Sequence, residues 1–247
     1  TYFNVEPRLA FNFILNEKSS LKAGYARNTQ NLHLLSNSTS SNPTDQWIGS
    51  SYNIKPGISD QISLGYFRNF AQNNYEFSAE TYYKALQNQV DYKNGADVQT
   101  APDVESELLY GKGRAYGLEL LLKKKSGKFT GWVSYTLSKT ERLIDGINEG
   151  NWYSARQDRT HDLAIVGMYQ LSTRWSLSGN FIYYTGDAVT FPSGKYEVAG
   201  NTAFYYTERN ASRMPNYHRL DLSATYEKPR KGRYQTSWNF SLYNAYG

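Results

Sequence analysis

Apolar and polar residues alternate over long segments of this chain, and this pattern restricts the possible fold more than any other feature. In residues 128–138 the two alternating sets are Phe129, Gly131, Val133, Tyr135, Leu137 and Thr130, Trp132, Ser134, Thr136, Ser138. Successive side chains of a strand point to opposite faces, whereas an amphipathic helix places apolar residues three and four positions apart. The alternation therefore predicts β-strands.

The same period recurs along the chain and predicts about ten strands. The clearest segments are 5–15, 61–69, 75–84, 117–122, 128–138, 162–171, 175–183, 219–226 and 234–242, of which 162–171 alternates least regularly. Ser126-Gly127 lies between two of these segments and is typical of a tight turn. We therefore expect an all-β chain that is built from antiparallel hairpins.

Composition excludes several other classes of protein. No segment approaches the ~18 consecutive apolar residues that a spanning helix requires. The chain has 23 Tyr and 11 Phe, too many aromatic residues for a disordered protein. It has no Cys, which excludes disulfides and thiolate metal sites. The net charge is +5, but the basic residues cluster at predicted turns, so we expect solvated hairpin ends and no nucleic-acid partner.

Connections between the predicted strands alternate between short and long. Short turns are expected near 16–19, 72–74, 126–127, 172–173 and 229–232, and long loops near 29–57, 91–109, 143–158 and 187–216. Membrane β-barrels have this asymmetry, with short periplasmic turns and long external loops. A strand of ~10 residues tilted by ~40° also spans the ~25 Å apolar band of such a barrel. We therefore expect a transmembrane antiparallel β-barrel.

A soluble β-rich protein is the alternative, because alternation alone does not distinguish a protein core from a lipid-facing surface. In a barrel, Leu177, Leu220 and Phe240 face lipid, whereas in a soluble sandwich they are buried between two sheets. Lipid cannot satisfy an open sheet edge, so ten strands need further partners to close. The direction of the last predicted strand leads us to expect at least one more strand after Gly247.

Several segments resemble the C-terminal half of the barrel of TonB-dependent outer-membrane receptors. They are "GKGRAYGLELLLKKKSGKFTGWVSYTLSKTER" (111–142), the hairpin at 52–70 and 75–96, and the segments 158–186 and 215–227. The resemblance implies a 22-stranded barrel around a plug domain, of which residues 1–247 are a C-terminal part, with the plug and the final strand lying outside them. The chain is most similar to receptors with a carboxypeptidase-regulatory-like N-terminal domain, rather than to the SusC glycan porters.

The resemblance also implies a location and a function. We expect an outer-membrane receptor of a Gram-negative bacterium that takes up a scarce external ligand, with transport driven by TonB. The family imports siderophores, haem, cobalamin, glycans or peptides, and the residues do not distinguish among them. Expected partners are outer-membrane lipids, TonB through an N-terminal region outside these residues, the external ligand and a surface lipoprotein. The alternative is a passive pore, or a structural barrel that docks other subunits.

Catalytic and metal-binding patterns are weak. His161 and Asp162 are adjacent on a predicted strand, so their side chains point to opposite faces and cannot cooperate as base and orienting group. His33 and His218 have no partner at a spacing typical of metal ligands. The glycines of "GKGRAYG" lead into a strand and not into a phosphate-binding helix. We expect no enzyme activity, cofactor or metal.

The long loops contain the candidate ligand-binding residues. Segments 43–56, 146–159 and 201–217 combine aromatic rings that can stack on a ligand with arginines that can bind anionic groups. The candidates are Trp47, Trp152, Tyr153, Arg156, Arg159, Tyr205, Tyr206, Arg209 and Arg213. Alternatively, these side chains pack the loops against one another or hold the plug.

Overall fold

The computed structural model describes residues 2–35, 46–96, 103–198, 200–206, 208–228 and 232–247 as an all-β chain. The strands are β1 (Arg8–Asn16), β2 (Ser19–Gln30), β3 (Leu32–Leu35), β4 (Gln46–Gly49), β5 (Gly57–Phe70), β6 (Tyr75–Tyr92), β7 (Leu108–Lys124), β8 (Phe129–Ile144), β9 (Tyr153–Ser154), β10 (His161–Gln170), β11 (Trp175–Tyr184), β12 (Ala188–Val189), β13 (Gly194–Val198), β14 (Asn201–Tyr205), β15 (Ser212–Arg213), β16 (Tyr217–Glu227) and β17 (Ser237–Leu242). Two short 3₁₀ helices span Val104–Glu107 and Asn148–Gly150. Within the described ranges, no helix is long and apolar enough to cross a membrane.

Ten of these strands form one continuous antiparallel sheet. Their order is β1-β2-β5-β6-β7-β8-β10-β11-β16-β17, and β9 pairs with β8 off this path. Each strand lies beside the next long strand of the chain, as in an up-and-down barrel wall. The predicted set of about ten antiparallel strands is confirmed. Shorter pairs, β3 with β4, β12 with β15 and β13 with β14, lie within the long connections.

Several strands are longer than the alternation predicts, because they continue past the barrel wall into the loops. β6 has 18 residues, β7 has 17 and β8 has 16. These extensions pair with one another as a ribbon, with Tyr92 opposite Leu108 and Gly111 opposite Ile144. The ribbon therefore positions the surrounding loops well beyond the ends of the neighbouring strands.

Short turns and long loops lie at opposite ends of the sheet, as predicted. The turn between β5 and β6 is formed by Ala71, Gln72 and Asn73, all with positive φ of 50–64°. Ser126-Gly127 forms the turn between β7 and β8, where Gly127 has a φ of 101° that a residue with a Cβ rarely adopts. The predicted turn at 229–232 lies outside the described residues, except for Gly232.

Strand register collects the apolar side chains on one face of the sheet, which we call the apolar face. Leu120 of β7 lies opposite Tyr135 of β8, and Tyr135 lies opposite Leu163 of β10. This face is exposed: Phe240 is 58% and Leu177 40% accessible, and Leu220 is half-buried. The wall is a single sheet rather than two stacked ones, so the apolar face does not form a protein core and is available to lipid.

Buried apolar side chains instead form two small clusters at the long-loop end, on and around the β6–β7–β8 ribbon. Leu35, Ile54, Val90, Tyr92 and Leu108 form the first cluster. Ile144, Ile147 and Tyr153 form the second, with Leu109 packed against it. Apolar burial thus stabilises the loops, whereas the wall depends on its backbone ladder and on lipid.

A charge placed on the apolar face tests this arrangement. Val133 lies midway along the apolar row that runs from Phe129 to Leu137 on β8. We expect Val133→Arg to lower the free energy of unfolding of the full-length protein by about 2–4 kcal/mol, because the charge enters the middle of the bilayer. Urea unfolding in phospholipid vesicles measures this change.

Ser134→Arg is the matched control, because Ser134 is the next residue on the same strand and points to the opposite face. We expect this variant to lose less than about half as much stability, since its charge can remain in water. Equal losses in the two variants would contradict a lipid-facing apolar face.

Candidate functional site

The face opposite the apolar one, here called the polar face, ends in a cavity at the long-loop end of the sheet. The cavity has a volume of about 370 Å³ and opens between β2, β5, β6 and β8. Polar side chains dominate its lining, which includes Asn28, Gln30, His33, Ser59, Gln89, Arg142 and Gln157. Such a lining offers several hydrogen-bond donors to a polar ligand.

Arg142 joins this cavity to a buried ionic cluster. Its Nη1 lies 3.5 Å from Asp91 Oδ2 and 3.4 Å from the Val90 carbonyl oxygen, both long for charged hydrogen bonds. Arg209 binds the same carboxylate more tightly, with Nη1 2.8 Å from Asp91 Oδ1. Tyr153 donates its hydroxyl to Asp91 Oδ2 over 3.0 Å. Arg142 is therefore the least tightly bound cation of the cluster.

Register explains why these side chains meet. Arg142 lies opposite Gly113 on β7 and opposite Tyr153 on β9, and Asp91 lies opposite Leu109 on the β6–β7 ribbon. Alternation therefore directs Arg142, Tyr153 and Asp91 to the polar face. Two guanidinium groups surround one carboxylate, so the cluster has an excess positive charge.

Burial raises the pKa of the Tyr153 hydroxyl, and the negative charge of Asp91 raises it further. Both effects disfavour the phenolate. Tyr153 therefore remains a protonated hydrogen-bond donor to Asp91 at neutral pH. Its hydroxyl stabilises the carboxylate without adding charge to the cluster.

Arg209 also connects distant loops. Its Nη1 donates to the Tyr92 carbonyl oxygen over 2.6 Å, and its Nη2 donates to Asn94 Oδ1 over 2.9 Å. The Arg209 backbone amide donates to Asn148 Oδ1 over 2.7 Å. The loop before β16 is thereby attached to the β6 extension and to the loop after β8.

A second set of contacts on the polar face attaches loops to the wall, around Asp158 and Arg159. Asp158 is fully buried and accepts hydrogen bonds from the Thr140 amide, at 2.5 Å, and from the Arg213 guanidinium. Arg159 pairs with Asp187 over 3.2 Å and stacks on the Tyr184 ring, 4.0 Å from its centroid. These contacts attach the loops on both sides of β10 and β11 to the wall.

The nine candidate residues differ in how far they are exposed. Tyr153, Arg159, Arg209 and Arg213 bind other parts of the protein, as described above, and Trp152 stacks on Arg114 at 4.1 Å. Trp47, Arg156, Tyr205 and Tyr206 are exposed, and the Tyr205 ring also packs on Tyr196, 6.4 Å away between centroids. The structure thus brings Tyr153 and Arg209 together at Asp91, and it places Arg213 in a separate cluster. A ligand role for each candidate stays a prediction.

Trp152 and Tyr153 are neighbours in sequence but lie on opposite sides of the sheet. Arg114, on which Trp152 stacks, shares the apolar face with Leu118 and Leu120. Tyr153 lies on the polar face beside Arg142. Trp152 therefore does not line the cavity.

None of the residues that line the cavity was among the nine candidates, and Arg142, Gln89 and Gln157 are examples. Arg142 and Gln89 belong to strand extensions that the alternation did not predict. Counting the period of two from Ser138 through Thr140 would have placed Arg142 on the polar face.

The histidines have local partners. His161 Nδ1 lies 2.8 Å from the Tyr135 hydroxyl, and His218 Nδ1 lies 2.7 Å from the Tyr246 hydroxyl. Asp162 lies opposite Thr136 and Tyr184, on the face away from His161, as predicted. The part of the chain that the structure describes contains no group of three or more His, Asp or Glu side chains that could hold a metal.

Comparisons with known proteins agree with the fold. The family model for the TonB-dependent receptor-like β-barrel matches residues 1–245. The ferripyoverdine receptor of Pseudomonas aeruginosa matches with a TM-score of 0.65 and 14% identity, over 98% of this chain and 29% of that one. The FrpB iron transporter of Neisseria meningitidis has a TM-score of 0.61 and 13% identity, over 98% of this chain and 35% of that one.

A mutant ferric enterobactin receptor from Pseudomonas aeruginosa is similar as well. Its TM-score is 0.60 at 17% identity, over 98% of this chain and 34% of that one. The chain therefore spans about a third of the length of these solved structures. A search of the curated protein sequences found no match.

Removing Arg209 tests its role in the loops. We expect Arg209→Ala to leave Asp91 buried with weaker partners, at a local cost of about 3–5 kcal/mol, because a broken buried ion pair leaves an uncompensated charge. Amide exchange at residues 91–94 and 208–213 should accelerate by about a hundredfold or more, since each 1.4 kcal/mol is a factor of ten. Hydrogen–deuterium exchange with mass spectrometry measures the change.

Arg174→Ala provides the control, because Arg174 is exposed in the short turn between β10 and β11. This variant should exchange like the wild type at residues 91–94 and 208–213. Unchanged exchange in Arg209→Ala would show that the loop is attached by other contacts.

Proposed function

Since the chain belongs to the TonB-dependent receptor-like β-barrel family, we propose that it forms the wall and part of the external mouth of a receptor for active uptake. The family's members are outer-membrane proteins of Gram-negative bacteria, and this chain is part of an outer-membrane β-barrel. In the proposed function, a scarce external ligand binds at the mouth, and a TonB-driven step then moves it inward.

The cavity beside Arg142 is the observation that most supports ligand binding. It lies at the long-loop end, which faces outside in membrane barrels, and on the polar face, which faces the lumen. The side chain of Arg142 is 23% exposed, and its guanidinium makes only a long contact with Asp91. It can therefore bind an incoming anionic group without first breaking a strong internal pair.

An anionic ligand fits the charge of this site best. Arg142 and Arg209 outweigh Asp91, so the cluster attracts negative charge, and the polar lining supplies further donors. Similar folds belong to a ferripyoverdine receptor, an iron transporter and a ferric enterobactin receptor. A ferric chelate is accordingly the first ligand to test, before haem, cobalamin, glycans and peptides.

The loop residues have two roles in this proposal. Trp47, Arg156, Tyr205 and Tyr206 are exposed, and they supply rings and a cation to the ligand. Tyr153, Arg159, Arg209 and Arg213 hold the loops in place around the mouth. Positioning of this kind reduces the ordering cost of binding.

Other parts of the transporter are proposed from the family alone. They are a plug domain, a TonB-contacting segment, a final strand that helps to close a 22-stranded barrel, and a carboxypeptidase-regulatory-like N-terminal domain of the non-SusC type. A surface lipoprotein that delivers the ligand is a further proposed partner. A passive pore or a partner-docking barrel is the alternative function.

Replacing Arg142 tests the proposed site. Purified full-length receptor is titrated with ferric catecholate and hydroxamate chelates, haem and cobalamin, and the tightest ligand is carried forward. We expect Arg142→Gln to raise its Kd by about 10–100-fold, because a hydrogen bond to a charged group contributes about 1.5–3 kcal/mol. Calorimetry or tryptophan fluorescence measures binding.

Two controls accompany this variant. Arg174→Gln removes the same charge at the opposite end of the sheet and should leave Kd unchanged. Collapse of the proton gradient in cells should stop uptake of the bound ligand, because TonB-driven transport needs energy. Uptake that continues without the gradient would favour the passive pore, and an unchanged Kd in Arg142→Gln would exclude this cavity as the binding site.

A further inference from the structure

The apolar face becomes cationic at its long-loop end. Alternate residues of β7 share this face, and from the long-loop end to the short-turn end they read Lys112, Arg114, Tyr116, Leu118, Leu120, Leu122 and Lys124. Lys112 is exposed, and the Arg114 side chain is 33% accessible. Cations thus lie at both ends of the apolar row, on the side of the sheet that faces lipid.

Strand geometry gives the height of these cations in the membrane. Ten residues separate Arg114 from Lys124, which at ~3.3 Å per residue and a tilt of ~40° gives about 25 Å of height. This height equals that of the apolar band of an outer-membrane barrel. Because the long loops face outside, Lys112 and Arg114 lie at the level of the headgroups of the outer leaflet.

A third cation joins them from β8. Lys139 lies opposite Tyr116, and Glu141 lies opposite Arg114, on the same face. Glu141 accepts from Arg114 Nη2 at 2.7 Å and from Lys139 Nζ at 2.6 Å, while the Lys139 side chain remains 48% accessible. Arg114 and Lys139 thus bind one carboxylate, and Lys112 lies two residues from Arg114 on the same face. We call these three cations, with Glu141, the outer cationic cluster, and its net charge is +2.

Aromatic rings hold Arg114 of the outer cationic cluster in place. The Arg114 guanidinium lies 4.1 Å from the Trp152 ring centroid and 5.8 Å from that of Tyr116. Tyr116 stacks in turn on Tyr83 at 6.4 Å. Tyrosine and tryptophan occupy the interface between the apolar band and water in membrane proteins. Arg114 is therefore positioned at that interface before any ligand arrives.

The outer cationic cluster differs in net charge from another ion pair at the same end of the apolar face. Arg27 Nε binds Asp60 Oδ1 at 2.7 Å, so this pair is neutral. The outer cationic cluster has a net charge of +2, and both of its lysines are exposed. It is therefore suited to bind an anionic group that approaches from the lipid side.

We propose that Lys112, Arg114 and Lys139 bind the phosphate groups of lipopolysaccharide in the outer leaflet. In a Gram-negative outer membrane this glycolipid presents phosphates beside its acyl chains, which matches cations placed directly above an apolar row. Charged hydrogen bonds to phosphate and the row of leucines below act on the same molecule. The proposal depends on the outer-membrane location and not on the transported ligand.

The experiment uses purified full-length receptor in detergent, freed of endogenous lipid, and titrates it with hexa-acylated lipopolysaccharide of the deep-rough type. Native mass spectrometry counts the bound glycolipids. We expect Lys112→Gln combined with Lys139→Gln to weaken binding by about 25-fold, since one surface charge contributes about fivefold. This pair of substitutions leaves the Arg114–Glu141 contact and the Trp152 stack in place.

The matched control combines Arg68→Gln with Lys124→Gln. Both residues lie on the apolar face at the short-turn end, so the same charge is removed at the level of the inner leaflet. Lipopolysaccharide binding should not change in this variant. Equal losses in the two double variants, or no loss in either, would overturn the proposal.

Two further ligands identify the recognised group. Dephosphorylated lipid A should bind at least about tenfold more weakly than the phosphorylated form, since the cluster attracts phosphate. Phosphatidylglycerol should bind more weakly than lipopolysaccharide, and equal binding would overturn the proposal in favour of a general anion interface. If the double variant does not fold, as judged by its mobility in unheated gels, Lys112→Gln alone tests the site with an expected loss of about fivefold.

Discussion

The backbone hydrogen-bond ladder is the constraint on which the rest of this structure depends. Lipid offers no partner to amide and carbonyl groups, so each strand of the wall must pair with both neighbours over its whole span. Ten strands accordingly follow one another in a single antiparallel sheet. Few side chains are buried in this wall, and the two small apolar clusters lie at its long-loop end, where the extensions of β6, β7 and β8 meet the loops.

Alternation then assigns each side chain one of two environments. On β8, Val133 and Tyr135 meet lipid, while Ser134 and Thr136 face the lumen, although all four belong to one short segment. The same rule acts on charges at the mouth. Arg142 faces the polar side, where it lines a cavity, and Glu141 faces the apolar side, where it holds Arg114 and Lys139. Adjacent residues thus belong to the proposed ligand site and to the proposed lipid site.

Buried ion pairs stabilise the loops at the mouth, where the backbone hydrogen bonds between the strands of the wall have ended. Asp91 and Asp158 are almost fully enclosed and each holds an arginine from the loop before β16. Replacing such pairs by apolar residues often preserves stability, but removing one partner is costly. Because these ion pairs are short and depend on direction, they are suited to fixing the position of the loops. The loops around the cavity are therefore held in place while Arg142 remains only weakly bound.

Sequence alone determined the β-class, the approximate number of strands, the order of short and long connections and the two faces, because all of these follow from a local period of two. It could not determine how far β6 and β7 extend, since a register shift between Leu86 and Gln89 on β6 and the glycines Gly111 and Gly113 on β7 interrupt the alternation. Only the tertiary structure placed Trp152 and Tyr153 on opposite sides and brought Asp91 to Arg209, which is 118 residues away. Such contacts depend on how loops fold over one another, which no local period encodes.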